Sequence, residues 1–148
     1  DEHTSRGLGD VYKRQVLLGG KRPSGFNKGF FYEPTIFDNV KDDFTIMKQE
    51  PFGPLVPMLS FKSFDEVIER ANNHELGLSS YVCTNSMEIA HLASDQLETG
   101  TVAVNTPLVA IAEAPFGGIK QSGYGREGGS MAIKDYLNIK YTHLGIKG

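Results

Sequence analysis

The sequence predicts an α/β protein with parallel strands. Short runs of β-branched and aromatic residues recur at positions 55–61, 78–84 and 101–105. Between them lie segments whose apolar residues repeat at i, i+3 and i+4, the spacing of a helix with one buried face. Glycines stand where each helix should hand over to the next strand, at Gly77 and Gly100. Strand, helix, strand, helix, strand is the order that builds parallel sheet, because each helix carries the chain back to the starting edge.

Taken in order, residues 16–20 read as a strand ending in glycines, and residues 21–29, with Pro23, Ser24, Gly25 and Asn27, as a loop. Residues 30–37 form a second extended stretch in which Pro34 marks an edge or an irregularity, and residues 55–61 a third that contains Pro57. Ser63 and Glu66 have the spacing of a capping box, each side chain satisfying a backbone N–H at a helix start. Phe64, Val67, Ile68 and Ala71 then share one face, and the helix should fray near Asn72 and Asn73. Residues 78–84 are the next strand. A second helix is predicted over 86–98, capped by Asn85, with Ile89, Leu92, Ala93 and Leu97 inward and Gly100 ending it. Residues 101–105 are a short strand, 130–136 a short helix, and 137–146 an extended run with Ile139, Tyr141 and His143 on one face.

Composition narrows the function classes. With 39% hydrophobic and 22% charged residues the chain is globular. A net charge of -3 without a basic block gives no footing for nucleic acid. No apolar run is long enough to span a bilayer, and no signal peptide is visible, so a soluble, cytoplasmic protein is expected. Cys83 is the single cysteine, which excludes an intrachain disulfide. Lying in a run of strand character, Cys83 reads as a small buried hydrophobe rather than a nucleophile. His74, His91 and His143 show no metal-ligand spacing, so no metal is expected.

Two motifs carry chemistry and a third is a decoy. Gly123, Gly125 and Gly128 are formally spaced as a dinucleotide fingerprint. That fingerprint must follow a strand, open a helix and be answered by an acid about twenty residues later. Here a loop precedes it and nothing acidic lies beyond Asp135, so the glycines serve a tight loop instead. The informative motifs are Glu50-Pro51-Phe52-Gly53-Pro54 and the run from Ala114-Pro115-Phe116-Gly117-Gly118 through Arg126-Glu127-Gly128-Gly129. Taken alone, the first is an acid before a Pro-Gly turn and the second an aromatic anchoring a Gly-Gly turn.

Together, in this order and separation, they closely resemble the C-terminal part of NAD(P)-dependent aldehyde dehydrogenases. The resemblance implies the C-terminal part of that family's catalytic domain over residues 16–136, followed by an oligomerisation strand over 137–148. It implies NAD or NADP as cofactor, with Glu50 accepting hydrogen bonds from the nicotinamide ribose and Phe52 packing beside the nicotinamide. Phe116 would line the substrate tunnel, and residues 106–113 would form the adjoining substrate loop. The glycine-rich run with Asp135-Tyr136-Leu137 is most similar to succinate-semialdehyde dehydrogenases. Some of those carry a serine in the substrate loop, where Ala110, Ile111 and Ala112 stand here. A small aldehyde substrate and a homo-oligomer, dimer or tetramer, are the implied partners.

The family's nucleophilic cysteine and general-base glutamate lie upstream of both motifs, and no residue here matches either, so no catalytic residue is assigned. The chain resembles the last third of an enzyme and is expected to be inactive alone. Residues 1–15 are set apart as a non-native leader, since residues 5–15 resemble a translated sequencing adapter. The competing reading is a non-catalytic binding or assembly module derived from such an enzyme. Genomic sequence upstream of Val16 separates the two, because a native start codon there favours the module.

Overall fold

A buried threonine organises the N-terminal unit. In the computed structural model, which describes residues 16–146 and 148, β1 (Val16–Leu18), β2 (Thr35–Phe37) and β3 (Leu55–Pro57) form a sheet with β2 at its centre. β1 runs antiparallel to β2, and β3 runs parallel to it with Thr35 opposite Leu55. Thr35 is 1% exposed. Its Oγ accepts from the Gly20 amide at 2.8 Å and donates to the Glu33 carbonyl at 2.8 Å. Its own amide donates to the Pro54 carbonyl at 2.8 Å. One β-branched hydroxyl thus ties the glycine turn after β1 to the strand that holds β3. Gly19 fits because a side chain there would strike the Pro34 carbonyl, at a φ of 75° that side chains rarely adopt.

Pro57 has no N–H to give a second neighbour, which suits β3 to the sheet edge it occupies. The structure corrects the expectation of one series of parallel strands: β3 pairs with β2 in this unit, whereas the later strands pair among themselves. A single helical turn, α1 (Thr45–Lys48), precedes β3 and has too few residues to leave a periodic signal. The capping box is present. Glu66 N donates to Ser63 Oγ at 3.2 Å, and the Glu66 carboxylate reaches back to the Lys62 amide at 2.8 Å. It opens α2 (Phe64–Asn72), which ends where the sequence predicts. Ala71, expected on the inward face, is exposed, and α2 buries none of its residues fully.

The chain divides into two units, Asp1–Glu66 and Val67–Gly148. The second is built on a strand–helix–strand crossover of β5 (Ser79–Val82), α3 (Met87–Gln96) and β6 (Thr101–Val104). β5 and β6 are parallel in the register Ser79 to Thr101 through Val82 to Val104. α3 packs on β6, with Ala93 and Ala103 buried. Leu92, predicted inward, is exposed because it lies about 100° around the helix from the buried Ala93. The cap is Ser86 rather than Asn85: Ser86 Oγ accepts from the Ile89 amide at 3.2 Å, and the Thr84 hydroxyl fixes the Ser86 amide at 3.1 Å. α3 also stops earlier than predicted. Asn72 captures both sides of its end, donating to the Gln96 carbonyl at 2.7 Å and accepting from the Glu98 amide at 2.8 Å.

A second antiparallel pair, β4 (Leu76–Gly77) with β7 (Ile119–Lys120), brings the glycine-rich segment back onto this crossover. Beyond a 3-10 turn at Ala132–Tyr136, residues 138–146 are exposed and belong to no strand or helix. Tyr141 and His143 touch, Oη to Nδ1 at 3.1 Å, as extended i, i+2 neighbours do. No helix is long and apolar enough to cross a membrane among the described residues.

Replacing Thr35 by Val keeps the shape but strands the Gly20 amide and the Glu33 carbonyl. A loss of roughly 1–3 kcal/mol is expected, read as a lower urea midpoint for the N-terminal unit.

Candidate functional site

Glu50 and Phe52 sit on a loop whose backbone is fixed at both ends. At its start Gln49 N closes α1 by donating to the Thr45 carbonyl at 2.9 Å. At its end Pro54 is held by Thr35, and a tight turn between joins the Gly53 amide to the Pro51 carbonyl at 2.7 Å. Two prolines further stiffen the backbone, since each has φ locked by its ring. From this fixed frame the two side chains point outward: Glu50 is exposed and Phe52 is 98% exposed. Among the described residues no donor engages the Glu50 carboxylate. An uncovered phenyl beside an unpaired acceptor is an arrangement that a ligand with hydroxyls and a flat ring can satisfy. Covering the phenyl would stabilise a complex by on the order of 2 kcal/mol.

Phe116 lies in the other unit and is half-buried. Its backbone exchanges two hydrogen bonds with Glu127, each at 2.7 Å, so residues 117–126 form a closed loop. The loop rests on the end of the crossover. A side chain at Gly100 would strike the Gly117 carbonyl, so backbone meets backbone there. The Gly77 amide donates to Ser122 Oγ at 2.9 Å. Lys120 Nζ lies 2.6 Å from the Glu98 carboxylate and donates to the Asn72 carbonyl at 2.8 Å. Gly123, Gly125, Gly128 and Gly129 all have positive φ, which is the loop role expected of them in place of a dinucleotide fingerprint.

A shallow depression lined by Glu75, Lys120, Gln121, Gly123 and Tyr124 contains none of the three predicted site residues. Three of its polar side chains are already engaged with one another or with neighbours, Lys120 as above and Gln121 Nε2 with the Glu75 carboxylate at 2.9 Å. Cys83 is exposed, correcting the expectation of a buried thiol. β5 ends at Val82, so Cys83 already belongs to the turn into α3. No group of three His, Cys, Asp or Glu side chains converges among the described residues.

The sequence did not reveal Asn105 as a fixed point. It follows β6 with φ 55°, its Oδ1 accepts from the Thr84 amide at 3.0 Å, and its Nδ2 donates to the Thr84 carbonyl at 2.8 Å. A side-chain amide thus mimics a peptide group and clasps the two strand ends. Asparagine's tolerance of the left-handed region was the available signal.

Residues 9–142 match the family model described as the aldehyde dehydrogenase family. The chain belongs to the aldehyde dehydrogenase family. Among its relatives, the mitochondrial succinate-semialdehyde dehydrogenase of Oryza sativa subsp. japonica is 42% identical over 88% of this chain and 24% of its own. The 3-sulfolactaldehyde dehydrogenase of Pseudomonas putida is 43% identical over 98% of this chain and 29% of its own. The NAD+ complex of aldehyde dehydrogenase from Bacillus cereus superposes with a TM-score of 0.87 at 43% identity, covering 99% of this chain and 30% of that one. The chain therefore spans about a quarter of the length of the curated relatives it matches. Glu50, Phe52 and Phe116 all fall within the residues matched to the family.

Replacing Asn105 by Ala removes both bonds to Thr84 and places a Cβ at positive φ, for an expected loss of roughly 2–3 kcal/mol. Replacement by Gly should recover only the backbone part, about 1 kcal/mol. Urea unfolding of the two variants checks this.

Proposed function

We propose that the chain supplies the nicotinamide-end contacts and one substrate wall of an enzyme that oxidises an aldehyde to a carboxylate with NAD or NADP. The observation that carries this is the fixed loop presenting an unpaired Glu50 carboxylate and an uncovered Phe52 ring. A carboxylate accepts from two vicinal ribose hydroxyls, and the phenyl limits how far a flat ring can wander. Both fit the cofactor. When bound, the dinucleotide would supply the hydride acceptor. Ring position matters because hydride transfer depends steeply on the separation and alignment of the reacting atoms. Phe116, held by Glu127, would form an apolar wall beside the reacting aldehyde.

The full-length protein would use a cysteine nucleophile and a glutamate base, as the resemblance implies. Its substrate is proposed as succinate semialdehyde or a similar semialdehyde. Support comes from the Gly123–Gly129 run, Asp135-Tyr136-Leu137 and the likeness to the rice enzyme. Ala110, Ile111 and Ala112 leave the substrate carboxylate without a hydroxyl from those three positions. The exposed residues 137–146 are proposed to add as a strand to a second copy, which would pair their exposed backbone groups.

The isolated chain should reduce neither NAD nor NADP with succinate semialdehyde. Turnover that disappears in Cys83→Ala would overturn this, by showing that Cys83 is a nucleophile after all.

A chimera in which residues 16–148 replace the matched segment of a full-length relative should be active. In it Glu50→Gln keeps the shape but weakens the charge-assisted bonds to ribose, each worth roughly 1.5–3 kcal/mol. Single-turnover hydride transfer should slow at least about tenfold, with less effect on binding of the adenine end. An unchanged rate removes Glu50 from the site.

A further inference from the structure

We propose that Asp135 is a positioning residue that pins the glycine loop, and through it Phe116, to the turn from which the C-terminal residues depart. Asp135 Oδ2 accepts from the Arg126 backbone amide at 2.8 Å, across nine residues of sequence. The carboxylate occupies space that a side chain at position 125 would need: a Cβ on Gly125 would sit 2.8 Å from Asp135 Oδ2. Gly125, with φ 79°, therefore admits the carboxylate as well as the turn.

From Arg126 the restraint spreads both ways. Its guanidinium Nη1 donates to the Gly118 carbonyl at 2.8 Å and to the Gly125 carbonyl at 2.7 Å, tying the two limbs of the loop together. Its neighbour Glu127 makes the paired backbone bonds with Phe116. Asp135 itself is set by the 3-10 turn Ala132–Tyr136, and Leu137, the next residue but one, is already extended. A carboxylate bound to a backbone N–H is a stronger tie than a neutral pair. Any displacement of the backbone at Leu137 therefore reaches the Phe116–Glu127 pair through Asp135. The acid that the glycine spacing seemed to lack is thus present at half the expected distance, serving the loop's own amide in place of a ribose. The pin stands on geometry alone; its consequence for substrate rests on the reading of Phe116 given above.

Amide hydrogen exchange on the 148-residue chain tests the pin without any turnover, so its failure is distinct from failure of the enzymatic reading. In Asp135→Ala, exchange at Arg126, Glu127 and Phe116 should speed by about fivefold or more. The Val82 and Ala103 amides of the β5–β6 pair should be unchanged. Asp135→Asn keeps an acceptor oxygen and should regain most of the protection at all three sites. Wild-type exchange at those sites in Asp135→Ala overturns the proposal. Should Asp135→Ala loosen the whole unit, Asp135→Asn decides: retained protection supports the pin, and equal loss refutes it.

Discussion

In the second unit two stretches of bare backbone meet at Gly100 and Gly117, with no room for a side chain on Gly100. Position 100 ends the helix-to-strand connection of the crossover, and position 117 opens the loop after Phe116. With no Cβ at Gly100, the loop can lie directly against the crossover, and the other ties become possible. Ser122 reaches the Gly77 amide, Lys120 reaches Asn72 and Glu98, and Gln121 reaches Glu75. Remove that approach and each of these polar contacts would have to span a wider gap. Phe116 is therefore positioned by the absence of side chains beneath it as much as by its own ring.

Asn72 shows how one residue can serve several elements. It ends α2, closes the end of α3 from both sides, and gives its carbonyl to Lys120. The second helix stops where a competing amide offers its backbone better partners than another helical turn would. That contest is tertiary, so periodicity placed the helix correctly but overran its end.

What was legible in the sequence follows the same division. The capping box of Ser63 and Glu66 and the strand character of residues 79–82 and 101–104 depend on neighbours a few positions apart, and they were readable. The pairing of β3 with β2, the Asn105 clasp on Thr84 and the Asp135 bond to Arg126 join distant residues and left no periodic trace. Glu50, Phe52 and Phe116 could be named only because two motifs together resemble a family. No spacing or composition distinguishes Phe52 from any other surface phenylalanine. Cys83 is exposed because the strand-like run in the sequence continues two residues past the point where the ladder stops.

The ties around the glycine loop also set an order of events during synthesis. β5, α3 and β6 are consecutive, so their contacts close short loops and can form as soon as residue 104 leaves the ribosome. The loop's own attachments reach much farther back, 45 residues from Ser122 to Gly77 and 48 from Lys120 to Asn72. The nascent crossover must therefore wait for the Ser122 bond to the Gly77 amide and the Lys120 bond to Asn72 until the glycine-rich segment arrives. During that interval the edge of β4 is open to a chaperone or to a neighbouring nascent chain.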